Sequence, residues 1–412
     1  MAYTPLGIEY LRRKLNSKRS RVLTRYKYYE MKDSTFDFGI STPPDLKYWN
    51  SCVGWCAKAV DSLADRLQFR EMRNDNFALN EIFNLNNKDI LTDSAALSAL
   101  ISSCSFVYIS ADDEGYPRLQ VIDGGNATGI LDPITYLLNE GYAVLERGKN
   151  DEPVLEAHFL AGETWYYPKG GKPYSIKNPA PYPLLVPIIN RPDARREFGH
   201  SRISRACMSL TGSALRTIKR SEIAAEFYAF PQKYISGLSE EAEVDKWRAS
   251  MSSLLTFTKD EDGDKPTVGQ FQQQSMAPHL EQLRMFASLF AGETGLTLDD
   301  LGFATENPSS ADAIKASHEN LRLAAAKAQR DFGTGFLNVG YLAACVRDNF
   351  AYRREMLYKT KPIWRPVFEP DAAMLSLIGD GVIKLNTAIP NYVNAELLTD
   401  LTGIEGGGVI AE

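Results

Sequence analysis

Reactive or metal-ligating chemistry in this sequence rests on four histidines, five cysteines and one close run of aspartates. His158, His200, His279 and His318 fall in four different segments, so no spacing assembles them into a ligand set or a proton relay. His318-Glu319 opens like a zinc-protease helix, but the second histidine of that motif would stand where Arg322 is. Asp260, Asp262 and Asp264 resemble the start of a calcium loop; Gly263 comes too early and Phe271 stands where a bidentate glutamate is required. A solvated acidic turn is the better reading. Cys52 and Cys56 are four residues apart, which would put two thiols on one helix face, and Cys104, Cys207 and Cys345 are scattered. No second pair completes a zinc site, and an odd, dispersed set is not a disulfide framework, so a reducing compartment is expected. There is no phosphate loop, no dinucleotide fingerprint and no nucleophile elbow. These absences predict a protein that is not an enzyme and holds no cofactor or metal.

What the chain does offer is cationic surface and architecture. It has 412 residues and a formal charge of −6, with 44% hydrophobic and 24% charged residues. Such a composition predicts a folded protein of two to three domains and excludes a disordered tail or a tight, phosphate-neutralising nucleic-acid binder. The N-terminal segment lacks the apolar run of a secretory signal, and no stretch is apolar for long enough to cross a bilayer, so no membrane association is expected.

The periodicities predict how these residues are positioned. Residues 8–32 read as a helix dense in arginine and lysine, from Arg12 to Lys27 without an acidic residue. That run is either a solvated face or a contact for nucleic acid or an acidic partner. Helical patterns follow at 53–67 and 77–104; residues 41–50 read as a loop. From residue 105 the period changes to two: SFVYISADDEGYPRLQVID is a hairpin around an Asp-Asp-Glu-Gly turn, and 105–178 forms a β-rich module. The Pro-rich stretch 178–201 is expected to cross the surface with little regular structure.

A long amphipathic helix is predicted from Ser201 to Phe230. Ile203, Cys207, Leu210, Ala214, Ile218 and Ala225 fall on its apolar side, and Arg202, Arg205, Arg216, Lys219 and Arg220 on its basic side. Pro231 ends it. A small αβ unit occupies 231–276, and a second helix runs from Ala277 to about Gly295. The loop LTLDDLGFATENPSS leads to a long helix over 310–350, whose Ile314, Leu321 and Ala328 alternate with His318, Ala325 and Phe332 as a packing seam. Gly333 and Gly335 mark a candidate kink. A strand-like KPIWRPVFEP and two short helices, 370–380 and 393–402, complete the pattern.

Several segments together resemble the portal proteins of tailed, long flexible-tailed double-stranded DNA bacteriophages. CVGWCAKAVDSLADRLQF (52–69) is similar to the family's N-terminal wing helix, and VPIINRPDARREFGHSRIS (186–204) to its entry into the first stem helix. FYAFPQKYISG (227–237) is similar to the helix-to-clip junction. The most specific stretch, 275–321, resembles the second stem helix, the tunnel loop and the start of a kinked long helix. The resemblance covers nearly the whole chain and implies an α+β portal fold. Its parts would be a wing at 1–200, stem helices at 201–230 and 277–295, a clip at 231–276, a tunnel loop at 296–310, a long kinked helix with wing return at 311–370, and a short helical crown at 371–412.

The resemblance further implies a homo-oligomeric ring, usually of about twelve subunits, at one capsid vertex of the virion. Double-stranded DNA would pass through its channel during packaging and ejection. The terminase large subunit, a head–tail connector or adaptor, and the major capsid and scaffold proteins would be its partners, with assembly in the host cytoplasm. The basic side of the first stem helix would supply weak phosphate contacts to the channel. Leu296, Leu298, Asp299, Asp300, Phe303, Asn307 and Ser309 would form the tunnel constriction; on the residues alone, LTLDDLGF equally reads as a helix–loop junction with Leu and Phe in the core. Another head–tail adaptor or capsid-assembly ring is the competing reading, and a hydrolase with its site in 105–178 is a third, although the sequence shows no grouping of convergent carboxylates there.

Overall fold

In a computed structural model of the chain, the structure describes residues 3–32, 51–229, 233–236, 267–270, 275–303, 316–368, 370 and 372–404. The loop expected at 41–50, the acidic turn at 260–264 and the helix inside 231–276 lie outside the described residues.

Helix α1 (Ile8–Tyr29) starts after Gly7, whose φ of 88° is a conformation that favours glycine. Its buried residues Leu11, Leu15 and Val22 recur at helical spacing, which is why a helix so rich in cations still packs inward on one side. Helix α2 (Trp55–Ala64) buries Trp55, Cys56, Ala59, Val60 and Leu63. Cys52 precedes it and is exposed while Cys56 is buried, so the two thiols do not share a helix face. Burial pushes the Cys56 thiol up to about 12, which makes it inert rather than ligating.

Strand β1 (Phe69–Arg73) is followed by α3 (Leu79–Leu85) and α4 (Lys88–Ser102), where the sequence pattern predicts one helical stretch. Asn87, in the left-handed region at φ 53°, divides the two. The expected hairpin is β2 (Cys104–Ala111) and β3 (Pro117–Ile122), paired antiparallel from Phe106↔Ile122 to Ala111↔Pro117. Strands β4 (Ala127–Leu131), β5 (Leu138–Arg147), β6 (Pro153–Leu160), β7 (Glu163–Pro168) and β8 (Tyr174–Lys177) form a five-stranded antiparallel meander in sequence order.

The expectation of little regular structure over 178–201 is corrected here. Leu185–Ile189 is strand β9, all five residues are buried, and it pairs antiparallel with β2 from Cys104↔Ile189 to Tyr108↔Leu185. Pro187 is tolerated because β9 is an edge of the order β3-β2-β9.

Helix α5 (Arg205–Ala229) and helix α6 (Ala277–Thr294) run antiparallel: Ser204 bonds Glu293 at 2.8 Å, and further along Thr217 bonds Gln282 at 3.0 Å. Between them the described residues hold a two-stranded antiparallel sheet, β10 (Lys233–Ser236) with β11 (Thr267–Gln270). A 3₁₀ turn at Asp299–Leu301 precedes α7 (Glu319–Arg347).

Helix α7 runs as one helix through Gly333 and Gly335. These glycines serve close approach. A Cβ on Gly333 would lie 2.6 Å from Pro362 Cγ, and one on Gly335 would lie 2.6 Å from Ile188 Cδ1. Leu321, Ala325, Ala328 and Phe332 form the buried seam as predicted. Strand β12 (Lys361–Trp364) pairs back to β1, tying residue 69 to residue 364 across the core. Helices α8 (Ala372–Ala388) and α9 (Ala395–Thr402) follow, α8 running longer than its pattern suggests, and neither buries a residue. None of the described helices is long and apolar enough to cross a membrane.

Candidate functional site

The cationic side of α5 is not one surface. Arg205, Arg216 and Arg220 are exposed. At 100° per residue they share a stripe within roughly 60° of arc. Arg216 Nη2 donates to Ser213 Oγ at 3.0 Å and keeps its charge at the surface. Lys219 was grouped with them by the helical wheel, but the structure corrects that: it is only 3% exposed, and its Nζ has no hydrogen-bond partner among the described residues. A buried ammonium without an anion is a cost to the fold rather than a contact for a ligand.

Arg202 is likewise withdrawn from the surface. It lies before the helix and straps three elements together, donating from Nε to Ala59 O at 3.2 Å and from Nη2 to Thr294 O. Burial pushes its guanidinium down to about 10, so it stays protonated near neutrality while serving the backbone.

The segment after α6 is built from a tight turn. Gly295 caps α6 at φ 70°, with Leu296 N–H donating to Ala291 O at 3.2 Å. Asp300 Oδ2 then accepts from Thr297 N–H and Oγ1, both at 2.9 Å, and Thr297 Oγ1 accepts from Asp300 N–H at 3.2 Å. That reciprocal box holds the 3₁₀ turn. Leu296 is buried, and Leu298, Leu301 and Phe303 pack against the main core. Of the apolar tunnel-loop candidates, Leu296 is thus buried while Leu298 and Phe303 are half-buried against the core. Asp299 is exposed, and Asp300 sits 3.8 Å from His318 Nδ1. Asn307 and Ser309 lie outside the described residues.

The β-rich module does bring carboxylates together, though not around an open site. Glu140 on β5 is fully buried. It accepts from Leu6 N–H (2.8 Å), Gly7 N–H (2.9 Å), Tyr3 OH (2.9 Å) and His158 Nε2 (2.8 Å). Burial pushes this carboxyl up, but the bonds from Leu6, His158, Tyr3 and Gly7 outweigh it and hold the group below its usual range. Nearby, Glu156 takes a bidentate pair from Arg12 (3.0 and 2.6 Å) and a bond from the Tyr142 hydroxyl. Both acids are fully occupied in fastening α1 and the residues before it to the five-stranded sheet, which leaves neither as a general base. The sequence carried a signal for Glu140: period two puts it on the same strand face as Leu138 and Tyr142, both buried. His279 stays apart from all of these. His200 pairs with Asp193 at 2.5 Å, and that carboxyl is held down at about 2 by the His200 bond and the Arg196 and Arg195 amides. Among the described residues no group of three or more His, Cys, Asp or Glu side chains is placed to hold a metal ion.

Helix α6 leaves Leu280, Met285 and Leu289 at least half exposed, and α8 does the same with Leu377 and Ile383. At 100° per residue Leu280 and Leu289 lie on opposite sides of α6, so these side chains do not form one continuous apolar face.

No protein-family model matches the chain. One chain from the virion of a native gene transfer agent particle superposes with a TM-score of 0.47 at 12% identity, covering 94% of both chains. A chain from the neck of the native gene transfer agent particle gives 0.46 at 14% identity, over 86% of this chain and 90% of that one. The portal protein of Mycobacterium phage D29 is 24% identical over 382 residues, and that of Mycobacterium phage L5 is 23% identical over 382 residues. Each alignment spans 87% of this chain and 77% of the relative, so over most of its length this chain is similar in sequence to portal proteins of mycobacterial phages.

Proposed function

We propose that this chain is the portal subunit of a tailed phage or phage-like particle. Copies of it would close into a ring of about twelve at one capsid vertex. The ring would pass double-stranded DNA inward during packaging and outward during ejection, and would present docking surfaces to the terminase large subunit, the head–tail connector, and the capsid and scaffold proteins. The observation that carries this reading is sequence similarity to portal proteins over 87% of the chain. The antiparallel α5/α6 pair, with β10 and β11 between its helices in sequence, supports it as a stem and clip.

The stripe of Arg205, Arg216 and Arg220 is the DNA-facing element of this proposal. A channel through which DNA slides needs few, sequence-blind phosphate contacts, since each strong contact adds to the barrier against movement. Three exposed cations per subunit, in a chain of net charge −6, meet that requirement. In the tunnel segment, Asp299, Asn307 and Ser309 would be the polar residues at the constriction. ATP hydrolysis would belong to the motor, consistent with a sequence that carries no phosphate loop.

Native mass spectrometry of the full chain with negative-stain imaging tests the proposal. A closed ring of about twelve subunits with a central hole is expected. Persistent monomers, or a ring without a hole in the presence of scaffold, would transfer support to the competing adaptor or assembly-ring reading. Charge reversal of Arg216, Arg216→Glu, is expected to impair DNA packaging or retention without changing ring formation; unchanged packaging would remove the stripe from the channel.

A further inference from the structure

A second cationic surface lies away from the outward stripe of Arg216 and Arg220. Helix α1 and the loop between β9 and α5 enclose a cleft of about 860 Å³. Lys14, Lys18, Arg21 and Arg25 line one wall, at spacings of four, three and four residues along α1. Their row is about 16 Å long at 1.5 Å per residue. Arg195, Arg196 and Arg205 face it from the other side, and Glu197 is the one carboxylate in the lining.

The opposite wall is built rigidly. Asn190 and His200 close the loop by backbone and side-chain bonds of 2.8 and 2.6 Å, and Gly199, at φ 67°, allows an approach that would put a Cβ 2.1 Å from Asn190 O. Asp193 accepts from the Arg195 and Arg196 amides and from His200, which fixes where the two arginines leave the backbone.

The cations inside fall into two groups. Lys14 donates to Gly129 O at 2.8 Å and Arg25 to Ser102 O at 3.0 Å, so these two hold α1 in place. Among the described residues no carboxylate pairs with Lys18, Arg21, Arg195 or Arg205. Lys18 instead lies over the rings of Phe106 and Phe198, at 5.3 and 5.6 Å. Burial lowers its pKa, a cost that an incoming anion would remove.

We infer that this cleft is a binding site for the phosphodiester backbone of duplex DNA, sharing Arg205 with the channel-facing stripe and otherwise built from other residues. The α1 row, about 16 Å long, is enough to meet more than one phosphate along a strand. The exposed arginines offer the planar fork that matches phosphate oxygens. An acidic peptide fits less well, because Val22 and Ile203 are buried and Phe198 is covered by lysines, which leaves no apolar pocket for its side chains. The choice of DNA rests on the portal reading, whereas the site itself does not depend on the ring.

The test uses full-length protein and a 24-base-pair duplex of arbitrary sequence, with binding followed by fluorescence anisotropy at several salt concentrations. Arg21→Glu/Arg195→Glu is the disrupting variant and Arg21→Gln/Arg195→Gln its milder partner; both positions are exposed and carry no fold-holding side-chain bond. Affinity is expected to fall at least tenfold for the charge reversal and less for the neutral pair. The salt dependence should become shallower by about two in slope for two lost phosphate contacts. Unchanged affinity in both variants would overturn the inference. Tighter binding of polyglutamate than of duplex, lost in the same variants, would overturn it in favour of an acidic protein partner. Native mass spectrometry of the same samples separates the two proposals. Rings that form normally but bind DNA less tightly support the cleft, whereas loss of rings with DNA affinity intact would make it a subunit contact. Absence of rings in the unsubstituted protein would count against the portal reading alone.

Discussion

Helices α1 and α5 each carry a basic side, and they use their cations in opposite ways. On α1, Arg12 is committed to Glu156, Arg19 to Asp151 at 2.6 Å, and Lys14 and Arg25 to backbone carbonyls. Its charge is largely structural, fastening a helix to a sheet, with a remainder facing the cleft. On α5, among the described residues, Arg205 and Arg216 carry no ion pair, Arg220 is exposed beside them, and the buried Lys219 has no hydrogen-bond partner for its Nζ. A count of lysines and arginines along a helix therefore says little about surface charge. What decides it is whether an acidic strand residue lies within reach, as Glu156 does for α1.

The largest effect that would break this comparison lies beside α1. Replacing Glu140 by alanine leaves the Leu6 and Gly7 amides, Tyr3 and His158 without their shared acceptor. A loss of about 3–5 kcal/mol is expected in urea denaturation. A loss below about 1 kcal/mol would mean that the N-terminal segment is not fastened there. The same group predicts an acid transition. Because its folded pKa is depressed, its contribution is present in full above the ordinary carboxylate value of about 4.3 and is lost as pH falls through the folded value. Stability measured from pH 6 down to pH 3 should decline, and Glu140→Gln should flatten that limb; an identical slope in the variant would reject the assignment.

Next in size, Arg12→Ala removes a bidentate pair whose acid is 15% exposed, with an expected cost of about 2 kcal/mol. Arg216→Ala on α5 should stay within about 0.5 kcal/mol of the unsubstituted protein, as an exposed cation without an ion pair. Equal costs for the two would erase the distinction between the helices. Lys219→Met sharpens it further: exchanging an unpaired buried ammonium for an apolar chain of similar length should leave stability unchanged or raise it by about 1 kcal/mol. A clear loss would show that Lys219 has a role in the assembled protein. Between these lies Gly335→Ala, where a methyl meeting Ile188 should cost about 1–3 kcal/mol, partly offset by helix propensity.

Much of the fold was legible. The shift from helical to alternating period at residue 105 marks the β module, and the seam of Leu321, Ala325, Ala328 and Phe332 is buried as its spacing predicts. What the pattern missed shares a cause. Residues 185–189 looked irregular because proline flanks and interrupts them, yet an edge strand needs only one hydrogen-bonding side, and β2 supplies it. At Gly333 and Gly335 the sequence pattern carried no sign of a second role, close contact with Pro362 and Ile188 from distant strands.

The sequence by itself determined most of the helical and extended segments, though not strand β9 or the break at Asn87, and it spells out no metal or nucleophile constellation. Those properties depend on spacing over a few residues, where backbone sterics and hydrophobic periodicity dominate. Tertiary structure alone decided which cations reach water, which carboxylates meet them, and that α1 and the loop before α5 enclose one cleft. Partners such as Arg12 and Glu156, or Lys18 and Phe198, are separated by more than a hundred residues and meet only when the sheets and helices pack. Electrostatic fate is set at such contacts, where burial and a neighbour within about 4 Å outweigh anything local spacing can encode.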